Sequence, residues 1–176
     1  MKIVFIVGSL RKQSYNQQLA KALAGRLPDT WQAEFVSCDV PLFSEDRELD
    51  PPVSVLGAAS LVGGADAVAI ISPEYNRSLP GSLKNLIDWL SRPCTDLPLK
   101  GKPVGIGGVS TGPIRTAVMQ SHLRSILLQV GAEVMPQPTI MLQIGAGMDP
   151  DGQFNAETTE FLDKFVESLI GFAASK

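Results

Sequence analysis

One histidine and two cysteines are the only nitrogen and sulfur metal ligands of the usual kinds in 176 residues. Cys38 and Cys94 cannot build a disulfide framework or a cysteine-based zinc site, and adding His122 still gives no ligand cluster. No metal site is expected, and both cysteines read as buried thiols. No Ser/His/Asp or Cys/His constellation is present for nucleophilic catalysis. His122 flanks the stripe Met119, Leu123, Ile126, Leu127 and Val130, so it reads as a packed or interface histidine rather than a proton donor. Asp149-Pro150-Asp151-Gly152 begins like a calcium loop, but Gly follows too early and no Glu closes it, so it reads as a turn.

Long apolar runs are missing too. The longest, Val62–Ile71, is broken by two glycines and Asp66, well short of the ~18 residues of a membrane span. Ile3–Val7 after Met1-Lys2 mimics the start of a secretory signal, but it stops at Gly8-Ser9, with Arg11-Lys12 following and no cleavage site. A soluble, cytoplasmic protein is expected. Fifteen Lys+Arg against eighteen Asp+Glu give a net charge of −3, which argues against nucleic acid or a membrane surface as partner. Hydrophobic residues at 44% and charged ones at 19% exclude disorder and coiled coil. No repeat, linker or low-complexity tract divides the chain, so residues 1–176 read as one domain. A chain of this size buries about 70% of its unfolded surface, enough for a full core.

What is present is alternation. Lys2–Val7, Ala67–Ile71 and Val104–Val109 are unalternated apolar runs, as expected of strands buried on both faces. Trp31–Cys38 alternates like a strand covered on one face, and Thr139–Ile144 reads as a last strand. Helices are predicted over Asn16–Leu27, Val53–Gly63, Ser82–Ser91, Pro113–Val130 (with Pro in its first turn) and Glu157–Ala173. Leu42–Pro52 is a loop rich in proline and acid. This order predicts an α/β fold, a three-layer α/β/α sandwich around a five-stranded parallel sheet in the flavodoxin-like order 2-1-3-4-5. Ligands of such sheets sit at the carboxyl ends of the strands, beside the switch point.

Three loops lie there. Gly8–Asn16, GSLRKQSYN, brings the hydroxyls of Ser9 and Ser14, the Arg11 guanidinium and free amides of a helix start to one place, which is phosphate-cradle chemistry. A capped helix, with Ser14 as N-cap and Gln17 completing a capping box, explains part of it equally well. A P-loop is excluded by its single glycine. A dinucleotide fingerprint fails as well, since neither Gly105-Ile106-Gly107 nor Gly145-Ala146-Gly147 continues to the third glycine. Ser72–Gly81, stiffened by Pro73 and Pro80, sets Glu74, Tyr75 and Asn76 together, either to hold a flat heterocycle by its edge or as an exposed turn. Val109–Pro113, with Ser110, Thr111 and Gly112, offers amides to negative charge or caps an ordinary helix.

GSLRKQSYN at Gly8–Asn16 together with PEYNRSLPGSLKNLIDWLSR at Pro73–Arg92 resembles the NADPH-dependent FMN reductase family, in particular its bacterial chromate/quinone reductase branch. The resemblance runs from Lys2 to about Phe172. It implies that Ser9, Arg11, Ser14 and Asn16 hold the FMN phosphate, with Gln17 among the binding residues. Pro73, Glu74, Tyr75 and Asn76 then line the isoalloxazine and ribityl, and Ser110, Thr111 and Gly112 close the other side of the ring. That branch usually carries a glycine pair where this chain has Arg115 and Thr116, which changes the charge at the mouth of the site.

The resemblance further implies an FMN-dependent oxidoreductase taking hydride from NADPH or NADH. Acceptors would be quinones, free flavin, azo compounds or chromate, reduced by a ping-pong mechanism with no catalytic side chain, since the flavin carries the chemistry. A flavodoxin-like electron carrier without turnover and a phosphate-sensing module are the competing readings. Family members assemble as homodimers or homotetramers through the helices at Ser82–Ser91 and Pro113–Val130. Trp89, Ala117 and Leu128 lie off the core stripes of those helices, so Trp89 is expected to be buried across a dimer.

Overall fold

The computed structural model describes residues 1–176. Its elements are β1 (Lys2–Val7), α1 (Tyr15–Ala24), β2 (Gln32–Ser37), α2 (Val53–Gly63), β3 (Ala67–Ile71), α3 (Gly81–Leu90), β4 (Pro103–Ser110), α4 (Ala117–Gln129), β5 (Glu133–Val134), β6 (Ile140–Gln143) and α5 (Ala156–Ala174). All strand pairings are parallel, in the order β2-β1-β3-β4-β5, with β6 also on β4. No helix is long and apolar enough to cross a membrane.

The central runs Ile3–Val7, Ala67–Ile71 and Val104–Val109 carry no polar side chain because each face of the sheet has its own core. Val4, Ile6, Val68, Ile70, Val104 and Ile106 pack with α2, α3 and α4 in one cluster. The intervening Ile3, Phe5, Val7, Ala67, Ala69 and Ile71 pack with α1 and α5 in the other. Successive side chains of a strand point to opposite faces, so a sheet covered on both sides can afford no polar alternation.

The flavodoxin-like order is as expected, but the last strand is divided. Glu133–Val134 pairs with Pro103–Val104, and Ile140–Gln143 pairs with Gly107–Ser110, so two short segments share one edge of β4. Pro136 and Pro138 stand between them, and proline has no N–H for a ladder. Helix α4 also begins at Ala117 rather than Pro113. Residues before it form a turn in which Arg115 has φ 58°, a left-handed conformation that no helix can include.

Trp89 corrects another expectation. It is fully buried within the monomer, its Nε1 donating to the Pro41 carbonyl at 2.8 Å and its ring meeting Phe43 edge-on at 5.0 Å. The loop after β2 folds over the off-stripe flank of α3 and occupies the surface assigned to a partner. Leu128 on α4 is 68% exposed.

Candidate functional site

The loops after β1, β3 and β4 converge at the carboxyl end of the sheet. Gly8 leaves β1 with its N–H on the Ile71 carbonyl at 3.0 Å. A Cβ there would run into the Ser72 side chain, which only glycine avoids. The chain then turns through exposed Leu10–Gln13 and enters α1 at Ser14, whose Oγ accepts from the Gln17 N–H at 3.3 Å. Ser9 Oγ accepts from the Arg11 N–H, and the Arg11 guanidinium lies 5.5 Å from the centre of the Tyr15 ring. The first turn of α1 carries no acidic residue. This donor-rich, acid-free helix start fits a phosphate, which the positive end of a helix favours. Arg11 and the hydroxyls of Ser9 and Ser14 are the side chains available to hold one.

Asn16 has a structural task that its sequence neighbourhood does not announce. Its side chain is buried, its Nδ2 donating to the Val109 carbonyl and its Oδ1 accepting from the Val109 N–H, both at 2.9 Å. It thus rivets the start of α1 to the end of β4, and so fixes the first loop against the third.

The second loop makes a tight turn. Tyr75 and Ser78 exchange backbone hydrogen bonds at 3.0 and 2.9 Å across Asn76 and Arg77, whose φ values of 49° and 63° are left-handed. Pro73 is buried at its base, while Tyr75 is half exposed at its tip. Glu74 turns away from the loop tip: its Oε2 accepts from the N–H groups of Val118 and Met119, both at 3.0 Å. It caps α4 from another loop, a favourable place for a carboxylate, and therefore positions the loop. Ser78 Oγ lies 3.1 Å from Nδ1 of His122, which is exposed rather than packed.

In the third loop Ser110 Oγ accepts from the Gly112 N–H at 3.2 Å, and Arg115 Nη1 donates to the Met141 carbonyl at 3.0 Å. A groove of about 460 Å³ opens between the second and third loops, lined by Glu74, Asn76, Arg77, Ser110, Thr111 and Arg115 among others. That volume is within the range of small-ligand sites. A larger groove of about 590 Å³ runs beside β6 and α5. No residue of the first or second loop lines it, whereas the second and third loops together wall the smaller groove, which is the stronger candidate.

Sequence reasoning put Arg115 at the mouth of the site but missed Arg77 and the left-handed backbone of both, and both line the groove. The turn after β6 reaches across to α1, where Tyr15 Oη donates to the Pro150 carbonyl at 3.2 Å. A two-residue turn at Asn76-Arg77 was hinted at by the bracketing prolines, whereas nothing local announces the Tyr15–Pro150 contact. Groups with shifted ionisation lie elsewhere. Burial pushes the Cys38 thiol up to about 12. Lys102 and Arg124 are lowered by burial, Lys102 against an opposing pull from Asp66.

The chain matches the NADPH-dependent FMN reductase family over residues 1–147. It is 40% identical to a 2-hydroxy-1,4-benzoquinone reductase from a Burkholderia species over 172 residues, 94% of each chain. It is 42% identical to a quinone reductase of Escherichia coli K12 over 145 residues, 80% of this chain and 77% of the other. Among solved structures, the flavoenzyme FerB of Paracoccus denitrificans, an NAD(P)H:(acceptor) oxidoreductase, superposes with a TM-score of 0.90 at 36% identity, covering 99% of this chain and 97% of its own. With the three loops gathered at the switch point of a flavodoxin-like sheet, the chain belongs to the NADPH-dependent FMN reductase family.

Proposed function

We propose that this NAD(P)H-dependent FMN and quinone reductase seats its cofactor across the three loops and reduces quinones in the groove between the second and third. Free flavin, azo compounds and chromate are further acceptors of the same kind. The observation that carries the reading is the convergence of an acid-free helix start and a small groove at one end of the sheet. Its standing among reductases adds to that.

When bound, FMN supplies the two-electron chemistry. The chain supplies place and charge. Ser9, Arg11, Ser14 and the first amides of α1 hold the phosphate. Pro73 and the backbone of Tyr75-Asn76 flank one side of the ring, and Ser110, Thr111 and Gly112 flank the other. Asn16 and Glu74 hold these loops in register. In the overall change, NAD(P)H gives a hydride, the quinone gains it with one solvent proton to become a hydroquinone, and NAD(P)⁺ leaves. Nicotinamide and acceptor share one groove, so they occupy it in turn and the kinetics are ping-pong. We also propose self-association as a homodimer or homotetramer, supported by the exposed apolar residues Leu42, Leu49, Val53 and Leu128.

The test is purification followed by spectroscopy and steady-state kinetics. A yellow protein that oxidises NAD(P)H with a quinone, giving parallel double-reciprocal lines, is the expected result. A yellow protein inert toward NAD(P)H would instead be a carrier, and a colourless one that FMN does not restore would remove the cofactor assignment.

A further inference from the structure

Two arginines stand at the mouth of the groove, and the protein neutralises neither there. Arg77 is 62% exposed, and its nearest carboxylate, Glu74 Oε1, is 4.0 Å away. So long and wet a pair contributes little, and Glu74 is already engaged by two amides of α4. Arg115 is exposed and pinned by its bond to the Met141 carbonyl. A carbonyl fixes the guanidinium in place without cancelling its charge. Glu74, with its side chain 8% exposed, is the only acid lining the groove. The rim is therefore cationic on a chain whose total charge is −3.

The backbone points the same way. Three of the five non-glycine residues with positive φ, Asn76, Arg77 and Arg115, line this one groove. Glycine adopts that conformation freely, whereas a residue with a Cβ is strained in it. Strain of this kind gathers at functional sites. Arginine at both places gives the loops a charge that glycine would not.

We propose that Arg77 and Arg115 read the charge of the electron acceptor, and that the preferred acceptor is a quinone anionic at neutral pH, bearing an ionised ring hydroxyl or a carboxylate. This rests on the quinone reductase reading above. A planar guanidinium fork suits an oxyanion beside a carbonyl oxygen, since it offers parallel donors to two acceptors. Long-range attraction toward the cationic rim adds to the encounter rate of an anion and is weakened by salt. Nucleotide phosphates would also satisfy two cations, so the test separates them from the acceptor.

The FMN-loaded full chain is assayed with 2-hydroxy-1,4-naphthoquinone, ionised at neutral pH, and with neutral 2-methyl-1,4-naphthoquinone. Wild type, Arg77→Gln, Arg115→Gln and Arg115→Lys are compared, so the intrinsic reactivities of the two quinones cancel. The expected result is a fall of about three- to tenfold in the anionic-to-neutral ratio of kcat/KM in each Gln variant, the range for a charge contact at a wet rim. Arg115→Lys should recover part of it, and added salt should narrow the ratio in wild type. Calorimetric binding of benzoate and benzamide to the same loaded proteins gives a second readout, with only benzoate expected to weaken in the Gln variants. An equal loss for both quinones, or benzoate binding no better than benzamide, overturns the proposal. So does a loss confined to the KM for NADPH relative to NADH. If wild type turns over neither quinone, the enzymatic reading fails on its own, and benzoate against benzamide still decides the charge of the rim.

Discussion

The first loop and the pair formed by the second and third loops, which we propose share one ligand at the end of the sheet, are built by opposite means. Gly8–Ser14 contains no residue at positive φ and ends in a local cap, Ser14 Oγ on the Gln17 N–H. The other two loops carry three non-glycine residues at positive φ, and they are joined by a cap spanning 44 residues, from Glu74 to Val118. A phosphate is small, always charged and the same in every turnover, so a relaxed loop at a helix start suffices. A groove that admits different partners in turn, as proposed, needs side chains aimed from both walls, and both walls carry residues in left-handed backbone.

The largest expected effect comes from breaking the bolt between the two regions. Asn16→Ala removes both bonds to Val109 and leaves a buried N–H and carbonyl unpaired. The cost should be about 2–4 kcal/mol of stability, read as a lower urea midpoint with an unchanged m-value. FMN affinity should fall with it, because the cradle loses its register with β4. Stability within about 0.5 kcal/mol of wild type would mean that the rivet is dispensable.

Next is a change that touches only the relaxed loop. Arg11 is exposed and its charged contact in the protein is with the Tyr15 ring. Arg11→Ala should weaken FMN binding by roughly ten- to a hundredfold, the worth of one charge-assisted hydrogen bond, ~1.5–3 kcal/mol. Folding stability should move little. Flavin affinity measured by fluorescence quenching separates this from Asn16→Ala, where both quantities drop.

Glu74→Ala acts on the strained side. It uncaps α4 at Val118 and Met119, and losing a cap costs about 1–2 kcal/mol. The effect should exceed that of Glu74→Gln, whose amide oxygen still accepts. Hydrogen exchange should show faster amides in the first turn of α4, with those of α1 unaffected. Equal acceleration in both helices would show that the two regions are not separable.

How far the sequence foretold each region follows from the range of its contacts. The buried strands are legible because unbroken runs such as Ile3–Val7 have few other uses, and the Ser14 cap because its partner lies three residues on. The Asn16 rivet was not legible since nothing near it announces Val109, 93 residues away. Trp89 was misplaced, and Glu74's cap on α4 went unseen, for the same reason: each bonds a residue more than 40 positions distant. The short β5 was hidden because two residues between a glycine turn and a proline pair leave no periodicity to detect. Local motifs thus announced the first loop and its cap, and the groove walls depended on pairings that only the fold supplies.

The smallest effect has the opposite sign. Asn76-Arg77 occupies a two-residue turn with both φ values positive, closed by the Tyr75–Ser78 backbone pair. That geometry strongly favours Asn-Gly. Arg77→Gly should therefore stabilise the protein, by roughly 0.5–1 kcal/mol, since it relieves the left-handed Cβ and gives up only a weak 4.0 Å ion pair with Glu74. Differential scanning calorimetry should record a Tm raised by about 1–3 °C for a domain of this size. The same variant should lose selectivity for anionic acceptors, as Arg77→Gln does. A gain in Tm with lost selectivity means that the strain is kept for the charge it presents. A fall in Tm would show instead that Arg77 stabilises the turn, and the contrast between a relaxed cradle and a strained groove would have to be abandoned.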